Sequence, residues 1–223
     1  MTKKARYCLF LVGFFFIFFL PLLLSQAKNF PFTRPIAQSQ ELDAVASGIF
    51  LLADPRIVDP NFSKTVVLIL HHDEGGTMGL IINRSTPQLL SELLPEEKQI
   101  PPEAWVFFGG PVSDETLTVL FRSEKPPKTG VPVFENVYAS QDAEVLASLF
   151  VAETSQVLFR LYAGYAGWGP GQLQAEIARG DWRLAPADAD LIFKEISDRV
   201  WPEIFGRSQK QVVKRHAGIR SSG

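Results

Sequence analysis

Cysteine is nearly absent from this chain: the only one, Cys8, sits inside an apolar N-terminal run. The segment beyond that run has no disulfide, no thiol nucleophile and no thiolate metal site. A domain of this size buries enough surface to do without disulfides. A basic excess is missing too. Net charge is −2 and the pI is about 6.0, which disfavours a dedicated nucleic-acid binder. Histidine occurs three times, at His71, His72 and His216, so a multi-histidine metal cage has few ligands to draw on. No G-x-S-x-G elbow, G-x-G-x-x-G fingerprint or P-loop lysine is present, and no internal repeat or heptad run.

What is present begins with a leader. Lys3, Lys4 and Arg6 precede an apolar run from Tyr7 to Leu24 that carries six phenylalanines between Phe10 and Phe19. The run is apolar on every face, which a surface helix of a small domain cannot hide. Small residues in Ser25-Gln26-Ala27 suit a signal peptidase, placing a cut near Ala27. As an uncleaved helix the run would span ~27 Å, close to the ~30 Å bilayer core. The expectation is therefore an inner-membrane anchor with the domain outside the cytoplasm, or an exported protein. The organisation that follows is 1–27 signal peptide or anchor, 28–44 linker, 45–206 folded domain and 207–223 flexible basic tail.

From Gly48 onward, short apolar runs alternate with Gly, Pro, Asp and Asn. Gly48–Ala53, Thr65–His71, Met78–Asn83, Trp105–Phe108, Thr116–Arg122, Val133–Tyr138, Val157–Ala163 and Trp182–Leu184 read as strands. The second is nearly continuous in β-branched residues and leucine, as in a strand buried on both faces. Within Val157–Ala163, Leu158, Leu161 and Tyr162 can pack inward. Thr86-Pro87 predicts a helix start ahead of Leu89, Leu90, Leu93 and Leu94. Ser140 caps a helix over Asp142–Glu153, and further helices cover Gln172–Arg179 and Ala187–Ile196. Gly164–Gly171 reads as a glycine-rich loop. The elements lack a regular βαβ alternation, which favours a mixed, mostly antiparallel sheet with helices against it.

Two groups of residues invite a chemical reading. His71-His72-Asp73-Glu74 offers imidazoles and carboxylates, but neighbours on a strand face opposite ways, so one histidine at most shares a site with either acid. No triad partner orients a histidine toward Ser63, and Asp54 and Asp59, each beside a proline, suit turns. The second group is the glycine stretches, Gly109-Gly110-Pro111 and Gly167-Trp168-Gly169-Pro170-Gly171. They carry two readings: a ligand-contacting loop at a helix start, or tight turns and close packing around Tyr165 and Trp168. A ligand site, if present, would use His72, Asn83, Gly109, Gly110, Tyr165, Trp168 and Gln172. No catalytic set, metal or cofactor is assigned.

Four co-linear stretches carry a resemblance. They are Ala53-Asp54-Pro55 through Asp59-Pro60-Asn61-Phe62 into Thr65-Val66-Val67; His72 through Gly76 with Met78, Gly79 and Asn83; Gly109-Gly110-Pro111-Val112; and Gly164-Tyr165-Ala166-Gly167-Trp168 through Gly171-Gln172-Leu173 to Trp182. In order and spacing the chain is similar to the YqgE/AlgH family of small bacterial proteins from about Val45 to Phe205. The resemblance implies an α+β fold with a sheet curled into a pseudo-barrel and flanked by helices, here preceded by an N-terminal hydrophobic helix. It brings no catalytic residues. Some members carry the label of transcriptional regulator, and members generally look cytosolic, whereas Lys3 to Ala27 points to the membrane or beyond. The reading is a non-enzymatic binding module with a protein partner, attached to the membrane through residues 7–24. The alternatives are a cytosolic regulator and a nucleotide-binding protein or enzyme using the glycine loops.

Overall fold

Val66–Leu70 shows how the sequence sets the architecture: five apolar residues in a row, all buried, form a strand covered on both faces. The computed structural model describes residues 45–97, 100–101, 104–151, 158–193 and 199–208. The leader, the linker, the tail beyond 208 and the hydrophobic N-terminal helix expected from the sequence lie outside these residues. Among them, no helix is long and apolar enough to cross a membrane.

The described strands are β1 (Ile49–Ala53), β2 (Val66–Asp73), β3 (Gly76–Ile81), β4 (Ser85–Leu89), β5 (Trp105–Phe108), β6 (Val112–Arg122), β7 (Val131–Phe134), β8 (Val137–Ser140), β9 (Phe159–Trp168) and β10 (Trp182–Pro186). The helices are α1 (Leu90–Leu93), α2 (Ala143–Val151), α3 (Gln172–Ala178), α4 (Ala189–Phe193) and α5 (200–208). The main path of the sheet runs β10-β1-β2-β3-β9-β6-β8-β7, with β5 also on β9 and β4 on β5. Every pairing is antiparallel except β5 with β9. The fold is α+β with a mostly antiparallel sheet, as the sequence implied.

The sheet does not close into a barrel. It curls until Gly48, at the head of β1, meets Phe134 of β7, where an added Cβ would lie 2.7 Å from Phe134 Cβ. Among the described residues no ladder joins β7 to β10. β7 carries Pro132 and β10 ends in Pro186, and proline supplies no N–H for a further ladder.

Alternation along the strands sends side chains into separate clusters. Phe50, Leu52, Leu68, Leu80, Leu120 and Tyr162 fill the concave face, which α4 and α5 cover through Leu191, Ile192, Val200 and Ile204. On the other face α3 covers one end, over Leu51, Val67, Ile69 and Trp168. At the other end α2 packs Val145 and Leu146 against Val106, Val119, Phe121 and Leu161.

Several expectations are corrected. Ser85–Leu89 is a strand rather than the start of a helix: Thr86 Oγ1 donates to Val106 O at 2.6 Å, tying it to β5, and only Leu90–Leu93 turns helical. The single strand expected over Val133–Tyr138 is a hairpin, turning at Glu135-Asn136 with Glu135 at φ 44°. Gly164–Trp168 is not a loop but the second half of β9. Leu158 is exposed, while Leu161 and Tyr162 are buried on opposite faces, as neighbours on a strand must be.

β9 is the hub. Its first half lies between β5 and β6, and its second half between β3 and β6. The exchange of neighbours happens at Gly164, whose φ is 70°. There the chain after β5 crosses so closely that a Cβ on Gly109 would sit 2.2 Å from Gly164 O, and one on Gly110 2.2 Å from Tyr165 C. Gly109 N donates to Ala163 O and Gly109 O accepts from Ile81 N, each at 2.8 Å, so this residue stitches β9 to β3.

Gly109→Ala is expected to lower stability by about 3 kcal/mol, because backbone cannot move aside as a side chain can. Gly206→Ala, inside α5 with nothing within 4 Å of the added Cβ, should raise it by roughly 0.5–1 kcal/mol. Urea unfolding of the two variants beside the parent reads both signs.

Candidate functional site

The site-like residues fall into three places. A row across β2, β3 and β9 is formed by His72, paired in register with Thr77, which is paired in turn with Trp168. α3 lies over this row because Gly171, at φ 72°, turns the chain back immediately after β9. Gly109, Gly110 and the half-buried Tyr165 belong to the crossing at Gly164. Asn83 stands apart, two residues past the end of β3. Its Oδ1 accepts from Val66 N at 2.8 Å and its Nδ2 donates to Lys64 O at 2.9 Å, bracing the entry to β2 where Lys64 adopts φ 55°.

In the row, His72 Nδ1 contacts Thr77 Oγ1 at 2.7 Å and Nε2 contacts Gln174 Nε2 at 3.2 Å. With Gln174 as donor, the ring is neutral and carries its proton on Nδ1, a tautomer assigned from this network. Burial pulls the His72 pKa below the ordinary histidine value; Asp73 opposes the shift and His71 adds to it. His71 faces the other way and meets Asp73 Oδ2 at 2.8 Å, as expected for strand neighbours. That contact, with the amide of Gly75, holds the Asp73 carboxyl below its usual range.

Trp168 is fixed from α3. Its indole N–H and that of Trp182 both donate to Glu176 Oε2, each at 2.8 Å, and Gln172 Nε2 donates to Oε1 at 3.0 Å. The two indoles meet edge to face at 5.8 Å, and Phe62 packs beside both. Gln172 Oε1 accepts from Gly169 N at 3.1 Å, so this side chain ties the turn before α3 to the helix. Glu176 is a residue that sequence reading missed. Its spacing of four from Gln172 and six from Trp182 was a signal, but only the fold reveals that both tryptophans point at it.

Asp54 and Asp59 make turns, as expected. Asp54 Oδ1 accepts from Arg56 N at 3.1 Å and Asp59 Oδ1 from Asn61 N at 2.7 Å. The Arg56 side chain, with Arg183 behind it, keeps the Asp54 carboxyl below its usual range. A cleft of about 310 Å³ lies between β10, α4 and α5, lined by Arg122, Glu135, Asp188, Asp190 and Arg207 among others. Arg122 pairs with Asp190 at 2.8 Å, and Arg207 with Glu203 at 2.6 Å and Asp188 at 3.8 Å. Among the described residues, no group of three or more histidine, cysteine or acidic side chains could hold a metal ion.

Sequence reading also passed over Arg160. It sits mid-strand in β9, in register with Leu120, is 8% exposed, and interacts with the Tyr162 hydroxyl. Its guanidinium lies 4.9 Å above the Phe107 ring. Two residues on, Tyr162 is fully buried, with its hydroxyl facing the Arg160 guanidinium. Burial lowers the Arg160 pKa from its ordinary value and pushes the Tyr162 phenol up to about 12. A charge breaking an apolar strand was the available signal.

Glu176→Ala removes the acceptor of two indole N–H groups and should destabilise by about 2–4 kcal/mol, read by denaturant unfolding. For His72 the folded state has the lower pKa, so the unfolded chain binds the extra proton. Its contribution is complete above pH 6.5 and is lost as pH falls from there through the depressed folded value. Tm should therefore fall below about pH 6.5, before the carboxylates titrate, and His72→Asn should flatten that first part of the pH–Tm curve.

The AlgH-like family model matches residues 50–212. A UPF0301 protein of Streptomyces avermitilis is 34% identical over 173 residues, spanning 75% of this chain and 89% of that one. Another from Thioalkalivibrio sulfidiphilus is 38% identical over 164 residues, with 71% and 87% covered. Among solved structures, the solution structure of the AlgH protein from Pseudomonas aeruginosa superposes with a TM-score of 0.61 at 31% identity, covering 74% of this chain and 89% of that one. A crystal structure of a Corynebacterium diphtheriae protein gives 0.63 at 25% identity, covering 75% and 90%. On its sequence, its fold and these likenesses together, the chain belongs to the AlgH-like family.

Proposed function

We propose that this protein is a non-enzymatic binding module, held at the membrane or exported across it by the leader Tyr7–Leu24, and that its partner is a protein. The observation that supports binding over catalysis is the engagement of the His72 row. Both imidazole nitrogens contact Thr77 and Gln174, and both tryptophan N–H groups and the Gln172 amide are tied to Glu176. Those bonds hold α3 and the preceding turn in place, and they leave Gly169, Pro170, Gly171, Gln172 and Gln174 exposed above a rigid base. A surface ordered before contact loses little conformational entropy when a partner covers it.

A photo-crosslinking residue placed at Gln174 in the living cell should give one discrete protein adduct, while the same residue at exposed Lys128 should give none. Turnover of a nucleotide or ester by the purified chain that disappears in His72→Ala would sink the reading. The intact mass of the native protein checks its location. A start at Lys28 marks export, full length in the membrane fraction marks an anchor, and a start within residues 28–44 removes the membrane half of the proposal.

A further inference from the structure

No further inference is drawn: the strongest candidate, the cleft of about 310 Å³ between β10, α4 and α5, is rimmed by the acidic side chains Glu135, Asp188 and Asp190 with Arg122 and Arg207 already paired to carboxylates, and nothing in the structure shows what would occupy it.

Discussion

The crossing of backbone on backbone at Gly164 is the constraint on which the rest of this structure depends. β9 must serve β5 along its first half and β3 along its second, with β6 on its other side as far as Tyr165. One strand can change partners on an edge only if the departing chain leaves within the thickness of a peptide. Gly109, Gly110 and Gly164 permit that approach, and any side chain there would overlap main-chain atoms. The close contact joins two strand systems into one curled sheet, and the curl creates a concave face that helices can cover.

Once β9 is placed, the opposite face follows. Trp168 ends the strand, Gly171 reverses the chain, and α3 returns over the sheet carrying Glu176 to meet both indoles. A single carboxylate thereby links β9, α3 and β10, three elements within fifteen residues of one another, Trp168 to Trp182. The cost of leaving two indole N–H groups unpaired makes this a specific lock rather than a loose apolar contact. His72 joins it through Gln174, which explains how a histidine at the tip of a hairpin comes to be part of the packing of a helix 102 residues later.

On β9 the buried Arg160 and Tyr162 face each other, so the guanidinium and the phenol moderate each other's burial. Elsewhere each buried polar group has a visible partner: Asp54 has Arg56 and Arg183, Thr65 has Phe62 O, and Ser140 has the Asp142 amide.

Alternation and punctuation made β1, β2, β3, β5, the inner face of α2 and the turn at Asp73 legible in the sequence, because each depends on residues a few positions apart. The same local rules misplaced Thr86, whose hydroxyl serves β5 rather than a helix, and read Gly164–Trp168 as a loop. Glycine signals conformational freedom without saying whether a turn or another backbone makes use of it. The four co-linear motifs identified the family, and the sequence alone determined that histidines and cysteines are too few for a thiolate or multi-histidine centre. The tertiary structure decided which groups are satisfied. Whether Trp168 finds Glu176, and whether Arg160 meets Tyr162 over the Phe107 ring, depends on residues brought together across the sheet, and spacing along the chain does not encode those distances.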